Sequence, residues 1–361
     1  MFQAPATDPS DRPANDDSPP ATAKRAGLTY ASSDQPGFTR RRHGRGFSYS
    51  PPAGGKVSDR RTLARFRALV IPPAWRDVWI CPDPNGHVQA IGYDEKGRRQ
   101  YIYHPEFRRL REAAKFRRLI AFAAVLPRVR AQVDADMRQV AHGRRQVLAT
   151  VIHLLETTMI RVGSRAYARA NQSFGLTTLE PRHVEIVGTR LRFDFRGKSG
   201  RAWKLDIRDR RIVRILRSCQ ELPGQGLFRY VDEDGAPQAV TSDDVNNYLR
   251  GIAGADVSAK DFRTWHGTVM AATALAECGP QESQTRAKRC VSDAIRQVAA
   301  RLGNTPTICR RCYVHPAVVD AYMAGELRLE APELIDGLSH EETAVLVFLE
   351  ARQRLSGGEG D

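Results

Sequence analysis

The chain has 361 residues, enough for two hydrophobic cores but short of three. Lysine and arginine number 56 against 41 acidic residues, a formal charge of +15 with a pI near 9.9, so the expected partner is a polyanion. The longest apolar run, Leu119 to Leu126, is too short to span a bilayer and stops at Pro127, so no membrane segment is expected.

The N-terminus carries Asp8 and Asp11 early and no apolar core behind a basic start, so it does not read as a secretory signal. Residues 1–25 are rich in Pro, Asp, Ser, Thr and Ala without an apolar period, which predicts a disordered tail. Thr39 to Tyr49 mixes cations, glycines and aromatics; contact with phosphate and a solvated basic loop fit this segment equally well. Ser58 is placed to cap a short helix with Leu63, Phe66 and Val70 on one face, ended by Pro72 and Pro73. Strand-like runs follow at Val78–Cys81, His87–Tyr93 and Arg99–His104, separated by Asp83-Pro-Asn-Gly86 and Asp94-Glu-Lys-Gly97 turn signals. This is an antiparallel meander.

From Pro105 to about Ala170 the period is helical, with Val147, Val151, Leu154, Leu155 and Thr158 on the buried face of a helix ending near Arg161. His183–Val187, Arg190–Arg196 and Arg201–Ile207 alternate as strands around a tight turn at Gly197-Lys198-Ser199-Gly200. Helices resume at Asp209, near Ser242, near Ser258, over Gln284–Leu302 and after Pro306. The fold class is therefore α+β. A small β-rich N-terminal domain spans 26–110, a mostly helical domain with a short antiparallel sheet spans 111–345, and a tail spans 346–361.

Gly197-Lys198-Ser199 is not a phosphate-binding P-loop, because Arg192 stands where that motif needs glycine and strands flank the turn on both sides. Cys309, Cys312 and His315 have local metal-ligand spacing, but no second pair completes a tetrahedral set, so no metal is expected. The six cysteines, spread from Cys81 to Cys312, read as reduced thiols of a cytoplasmic protein. His266 and His315 have no acid or nucleophile paired with them in sequence and read as structural or surface histidines.

Four separated motifs carry more information. They are Ile160-Arg161-Val162-Gly163, Gly197-Lys198, Lys260-Asp-Phe-Arg263-Thr-Trp-His-Gly267, and Leu302-Gly-Asn304 running on to Cys312-Tyr313. In this order and spacing the chain resembles the poxvirus-like type IB DNA topoisomerases, and most of all the bacterial branch of that group. The likeness runs from about Leu28-Thr-Tyr30 to about residue 340 and includes Gly92-Tyr-Asp-Glu-Lys-Gly-Arg-Arg-Gln-Tyr-Ile-Tyr103.

The resemblance implies an ATP-independent enzyme that relaxes positive and negative supercoils through a 3′-phosphotyrosyl intermediate. It implies Tyr313 as nucleophile, Arg161 and Arg263 as transition-state cations, Lys198 as general acid and Asn304 as the last active-site position. Arg98, Arg99, Tyr101, Tyr103 and Tyr167 become DNA contacts. Poxvirus enzymes have histidine where Asn304 stands and lysines at the positions of Ser164 and Ala166, so their cleavage-sequence preference is not carried over. The implied partner is double-stranded DNA, held by a clamp of the two domains in a monomeric, nucleoid-associated protein without cofactor.

The chemistry of the residue types agrees. Charge develops on the non-bridging phosphate oxygens, which guanidinium forks match, and an alkoxide leaving group needs a proton. Two alternatives stay open at this point: a tyrosine recombinase, whose His-x-x-Arg element would be Lys260-Asp-Phe-Arg263 here, and a non-catalytic DNA-binding protein of the same fold.

Overall fold

The computed structural model describes residues 18–139 and 143–357, and the chain divides into two compact units between Arg117 and Arg118. Most of the expected N-terminal tail, residues 1–17, lies outside the described residues. The end of that stretch is not tail. Ser18 caps helix α1 (Pro19–Arg25), its Oγ accepting from the Ala21 N–H at 3.4 Å, and the helix buries Thr22 and Ala23. Prolines at the first helical positions preset the backbone, which the compositional reading of a Pro-rich stretch overlooks.

In the first unit, β1 (Phe38–His43) and β2 (Gly46–Ser50) form an antiparallel hairpin out of the arginine-rich segment. Helix α2 (Arg60–Ala68) is capped by Asp59 rather than Ser58, with Oδ2 accepting from the Thr62 N–H at 2.7 Å, and Val70 lies beyond it, 79% exposed at φ 48°. Strands β3 (Arg76–Ile80), β4 (Val88–Tyr93) and β5 (Arg99–Tyr103) form the expected meander. The sheet order is β2-β1-β3-β4-β5, so the basic segment adds two strands where sequence suggested a loop. Phe38 and Tyr49 from that hairpin pack on Phe66, Val78, Ile80 and Ala90. Arg40, buried, donates to the carbonyls of Ile71, Pro72 and Trp75 at 2.9 Å each.

Helix α3 (Pro105–Arg138) runs through the division, so the two units separate inside a helix. The second unit continues with α4 (Arg144–Thr158), whose expected face is buried, and α5 (Arg165–Asn171). Its sheet, β6 (Val184–Val187), β7 (Arg190–Arg196) and β8 (Ala202–Arg208), is antiparallel in sequence order, with Leu191, Phe193 and Phe195 alternating inward. Asp209 caps α6 (Arg210–Glu221), and a hairpin of β9 (Arg229–Val231) and β10 (Pro237–Ala239) leads to α7 (Ser242–Ala253).

Helix α8 (Ala259–Cys278) is the spine of this unit: Phe262 and Trp265 are fully buried, and Phe262 meets Phe122 of α3 edge-on at 5.0 Å. Helices α9 (Gln284–Leu302), α10 (Pro306–Cys312), α11 (Pro316–Met323) and α12 (His340–Gly357) complete it. Two expectations are corrected here. The span 346–361 is helical up to Gly357, because Val345, Leu346, Phe348 and Leu349 bury one face of α12. Cys278 and Cys290 form a disulfide, because α9 folds back on α8 and brings their Cα atoms to 6.6 Å, so the cysteines are not all reduced thiols. None of the described helices is long and apolar enough to cross a membrane.

Candidate active site

Four chain segments converge in the second unit, and each is fixed by backbone. Helix α4 ends at Met159 in the left-handed conformation, φ 61°, and Ile160–Gly163 leaves as an irregular strand. The Arg161 carbonyl accepts from the Leu176 N–H at 2.9 Å, and the Val162 carbonyl accepts from the Thr177 N–H at 2.7 Å. Gly163 has φ +99°, and a Cβ on the facing Gly175 would lie 2.5 Å from the Arg161 carbonyl oxygen. Only a backbone-on-backbone crossing places Arg161 here.

Arg263 sits in the second turn of α8 and is 3% exposed. Its Nη1 donates to the Met159 carbonyl and its Nη2 to the Leu302 carbonyl at 2.5 Å, so one guanidinium ties the end of α4 to the end of α9. After Leu302, Gly303 takes φ +65° to cap α9, and Asn304 follows with its N–H on the Ala299 carbonyl at 3.1 Å. The Asn304 Oδ1 accepts from Arg161 Nη2. Thr305 and Pro306 then start α10, which ends at Tyr313.

The tyrosine is held against α8. A Cβ on Gly267 would lie 2.6 Å from the Tyr313 carbonyl oxygen, Thr268 Oγ1 donates to the Thr264 carbonyl at 2.8 Å and lies 3.4 Å from that of Tyr313, and the His315 N–H donates to Thr268 Oγ1 at 3.1 Å. The Arg263 guanidinium carbon lies 5.2 Å from the Tyr313 ring centroid. His315 itself is a structural cap of α11, accepting from the Ala317 N–H at 3.1 Å, and Cys309 is buried in α10.

Lys198 stands in the β7–β8 turn, where Ser199 has φ 64°, and its Nζ lies 5.8 Å from the Tyr167 ring centroid. This is within cation–π range. Trp203 of β8 lies between the glycine before Lys198 and the glycine before Asn304. A Cβ on Gly197 would lie 2.6 Å from its Nε1, and one on Gly303 would lie 2.9 Å from its Cζ2.

Burial, reinforced by the neighbouring Arg161 guanidinium, pushes Arg263 down to about 10, and the Tyr313 hydroxyl works the other way. Arg263 therefore stays charged at neutral pH beside a second cation. Its hydrogen bonds to Met159 and Leu302 are to backbone carbonyls, which carry no net charge. Arg263 Nε and Asn304 Nδ2 are buried donors without a hydrogen-bond partner. Two guanidiniums and unfilled donors around a tyrosine form a cradle for an anion with several oxygens.

The structure thus brings Arg161, Arg263, Asn304 and Tyr313 into one constellation and ties the Lys198 turn to it. The sequence reading missed Thr268, Gly175 and Trp203, and it quoted Gly267 in a motif without foreseeing its contact with Tyr313. A glycine inside the helical period of α8 was the visible signal for Gly267. In the first unit Arg98 is ion-paired with Asp94 at 2.6 Å, and Arg99 Nη2 donates to Ser33 Oγ at 2.5 Å while lying over the Tyr101 ring at 5.4 Å. Tyr101 is 43% exposed and stacks on the half-buried Tyr103 at 5.8 Å.

Residues 104–330 match the family of the eukaryotic DNA topoisomerase I catalytic core, and residues 46–94 match the bacterial DNA topoisomerase IB N-terminal domain. DNA topoisomerase 1B of Acanthamoeba polyphaga mimivirus is 30% identical over 293 residues, covering 79% of this chain and 87% of the viral one. DNA topoisomerase I of monkeypox virus and DNA topoisomerase 1B of vaccinia virus (strain Copenhagen) are each 24% identical over 238 residues, 64% of this chain and 71% of theirs. The core match contains every segment that builds the tyrosine and guanidinium cradle, and the second match falls in the five-stranded unit ahead of it, so this chain belongs to the type IB DNA topoisomerase family.

Proposed function

We propose that Tyr313 attacks a phosphodiester of duplex DNA and that Arg161, Lys198, Arg263 and Asn304 carry the reaction with it. The observation that supports this most is the pairing of Arg161 and Arg263 beside a tyrosine, with neutral acceptors in place of carboxylates. The Tyr313 phenolic oxygen forms a bond to phosphorus, the bond from phosphorus to the 5′-oxygen breaks, and the 3′-phosphate stays on the tyrosine. The phenol gives its proton to solvent water, the departing 5′-oxygen receives one from a side chain, and that side chain regains a proton from water, so the step balances without an outside reagent. Lys198 delivers the proton to the 5′-oxygen from its exposed turn. Arg161 and Arg263 neutralise charge on the non-bridging oxygens, and the free Asn304 Nδ2 donates to the same group.

Because the phosphotyrosyl bond conserves the energy of the phosphodiester, the free 5′-OH reseals the strand by the reverse path and no ATP is needed. Between the two steps torsion turns the nicked duplex, which relaxes positive and negative supercoils alike. In the first unit Arg99, Tyr101 and Tyr103 contact the duplex, with Tyr167 in the second. Arg98 joins them by exchanging Asp94 for a phosphate. The protein acts as a monomer wherever its DNA lies, which for the bacterial branch is the nucleoid in the cytoplasm. The match over 104–330 favours this reading over a recombinase.

Tyr313→Phe tests the assignment. The variant is expected to bind duplex DNA with near-native affinity, which comes from phosphate contacts, and to form no covalent adduct. Plasmid relaxation by Tyr313→Phe would show that another group is the nucleophile.

A further inference from the structure

The β7–β8 turn that carries Lys198 is anchored to the protein at its C-terminal root. Trp203, 8% exposed, stacks in parallel on Phe195 across the sheet at 6.2 Å and fills the space over both Gly197 and Gly303. Arg201 Nη2 donates to the Ala300 carbonyl in the last turn of α9 at 2.8 Å. Its aliphatic stem also packs over Gly303, where a Cβ would lie 3.1 Å from Cδ. Within the turn the Gly197 N–H donates to the Arg201 carbonyl at 2.7 Å and the Gly200 N–H to the Gly197 carbonyl at 3.0 Å. Arg201 therefore grips α9 with its side chain and closes the Lys198 turn with its backbone.

The point of attachment matters. The C-terminal end of α9 supplies the Leu302 carbonyl that orients Arg263 and the Asn304 amide that receives Arg161. A cation at the end of a helix is also favoured by the helix dipole. The five-residue loop from Gly197 to Arg201 projects beyond the sheet, and Lys198 is exposed, so its position depends on where the root of the turn is held.

We propose that Arg201 and Trp203 are positioning residues that dock the Lys198 turn onto the end of α9, so that proton delivery is held in register with Arg263 and Asn304. This rests on the assignment of Lys198 as the general acid. Neither residue touches the reacting atoms in this scheme; both act through Lys198.

The test uses the full-length enzyme, Arg201→Ala, Trp203→Phe and Lys198→Ala, and single-turnover cleavage of two duplexes differing in one atom. One has the natural 5′-bridging oxygen at the scissile phosphate, the other has sulfur, whose thiolate leaves without an acid. Arg201→Ala removes an exposed side chain and should fold normally, and Trp203→Phe keeps the stack on Phe195 while withdrawing the ring from Gly303. Each is expected to slow cleavage of the oxygen duplex by about tenfold or more, as loss of register does, and to leave the sulfur duplex within about twofold. In a Lys198→Ala background, Arg201→Ala should cost nothing further on the oxygen duplex.

Equal losses on both duplexes, no loss on either, or a full additional loss in the Lys198→Ala background would each overturn the docking role. The assignment of Lys198 is judged separately, by whether Lys198→Ala alone is rescued by sulfur. If it is not, Lys198 is not the acid, and non-additivity with Arg201→Ala still shows whether the turn is docked. If Lys198→Ala cleaves the oxygen duplex normally, both ideas fall.

Discussion

Gly267→Ala probes how tightly the Tyr313 backbone is placed. The added Cβ would lie 2.6 Å from the Tyr313 carbonyl oxygen and 3.3 Å from both the Tyr313 Cβ and Leu302 Cδ1. Non-bonded carbon contacts settle at about 3.5 Å or more, so the segment must move away from α8 by about 1 Å. A shift of about 1 Å at a reacting group costs about 10²-fold in rate. Overpacking of this kind costs about 1–3 kcal/mol, and the better helix propensity of alanine returns about 1 kcal/mol. The expected result is therefore a folded protein with a slightly lowered melting temperature, unchanged duplex affinity, and single-turnover cleavage slower by about 10²-fold. Cleavage of a suicide duplex, followed by gel under saturating enzyme, measures the rate, and calorimetry measures the stability. Wild-type cleavage by a stable Gly267→Ala would refute the claim that this contact sets the position of the nucleophile.

The other predictions concern charge and protonation. Arg263→Ala should lower the cleavage rate by about 10²-fold or more with little change in binding at moderate salt, as loss of a transition-state donor does; an effect on affinity alone would make Arg263 an ordinary phosphate contact. Arg263→Lys should restore little, because one ammonium cannot serve Met159, Leu302 and a phosphate together. Relaxation should proceed in excess EDTA without ATP, since the leaving-group proton and the charge neutralisation are both assigned to side chains; single-turnover cleavage that stops on chelation would contradict that assignment. Burial, with Arg130 and Arg301 nearby and Glu342 opposing, pushes His266 down to about 4 from the usual 6.5. A base depressed on folding stabilises fully above about 6.5 and loses that stabilisation as pH falls toward 4, at most about 3 kcal/mol. Urea melts at pH 7.5 and 4.5 should show a smaller acid loss in His266→Gln than in the parent, and equal losses would remove His266 as the cause.

The legible parts of the fold were those with strong periodicity or turn chemistry. Asp94-Glu-Lys-Gly97 and Gly197-Lys198-Ser199-Gly200 mark the β4–β5 and β7–β8 turns, and Gln284–Leu302 is α9 to the residue. The β1–β2 hairpin was hidden because its arginines resemble a loop; one of them, Arg40, is buried as the clasp between the sheet and the Ile71–Trp75 segment. The Cys278–Cys290 disulfide depends on the angle at which α9 returns along α8, which a spacing of 12 residues does not encode. At the site, the side chains came from family motifs. What orients them did not, because the Met159 and Leu302 carbonyls are backbone atoms and carry no residue signature.

Those carbonyls explain why the cradle keeps its charge. Arg130, in the same unit, is bound by Glu156 at 2.6 Å and by Glu342 at 2.7 Å, so its charge is cancelled and it serves to fasten α12, with Glu342 also accepting from Trp265 Nε1 at 3.0 Å. Arg263 is held as firmly, but by dipoles, which fix the direction of a guanidinium without cancelling it. Capture by carbonyls is not sufficient in itself, since Arg40 has three and fastens a sheet. The difference at the site is the second cation: Arg161 is drawn to the same place by a neutral amide, so two like charges share a partly dry pocket. Like-charge repulsion of this kind opposes folding, and an incoming anion would relieve it. In the proposed reaction, a phosphate whose charge grows during attack would relieve it most at the transition state, which is the condition for catalysis and not merely for binding.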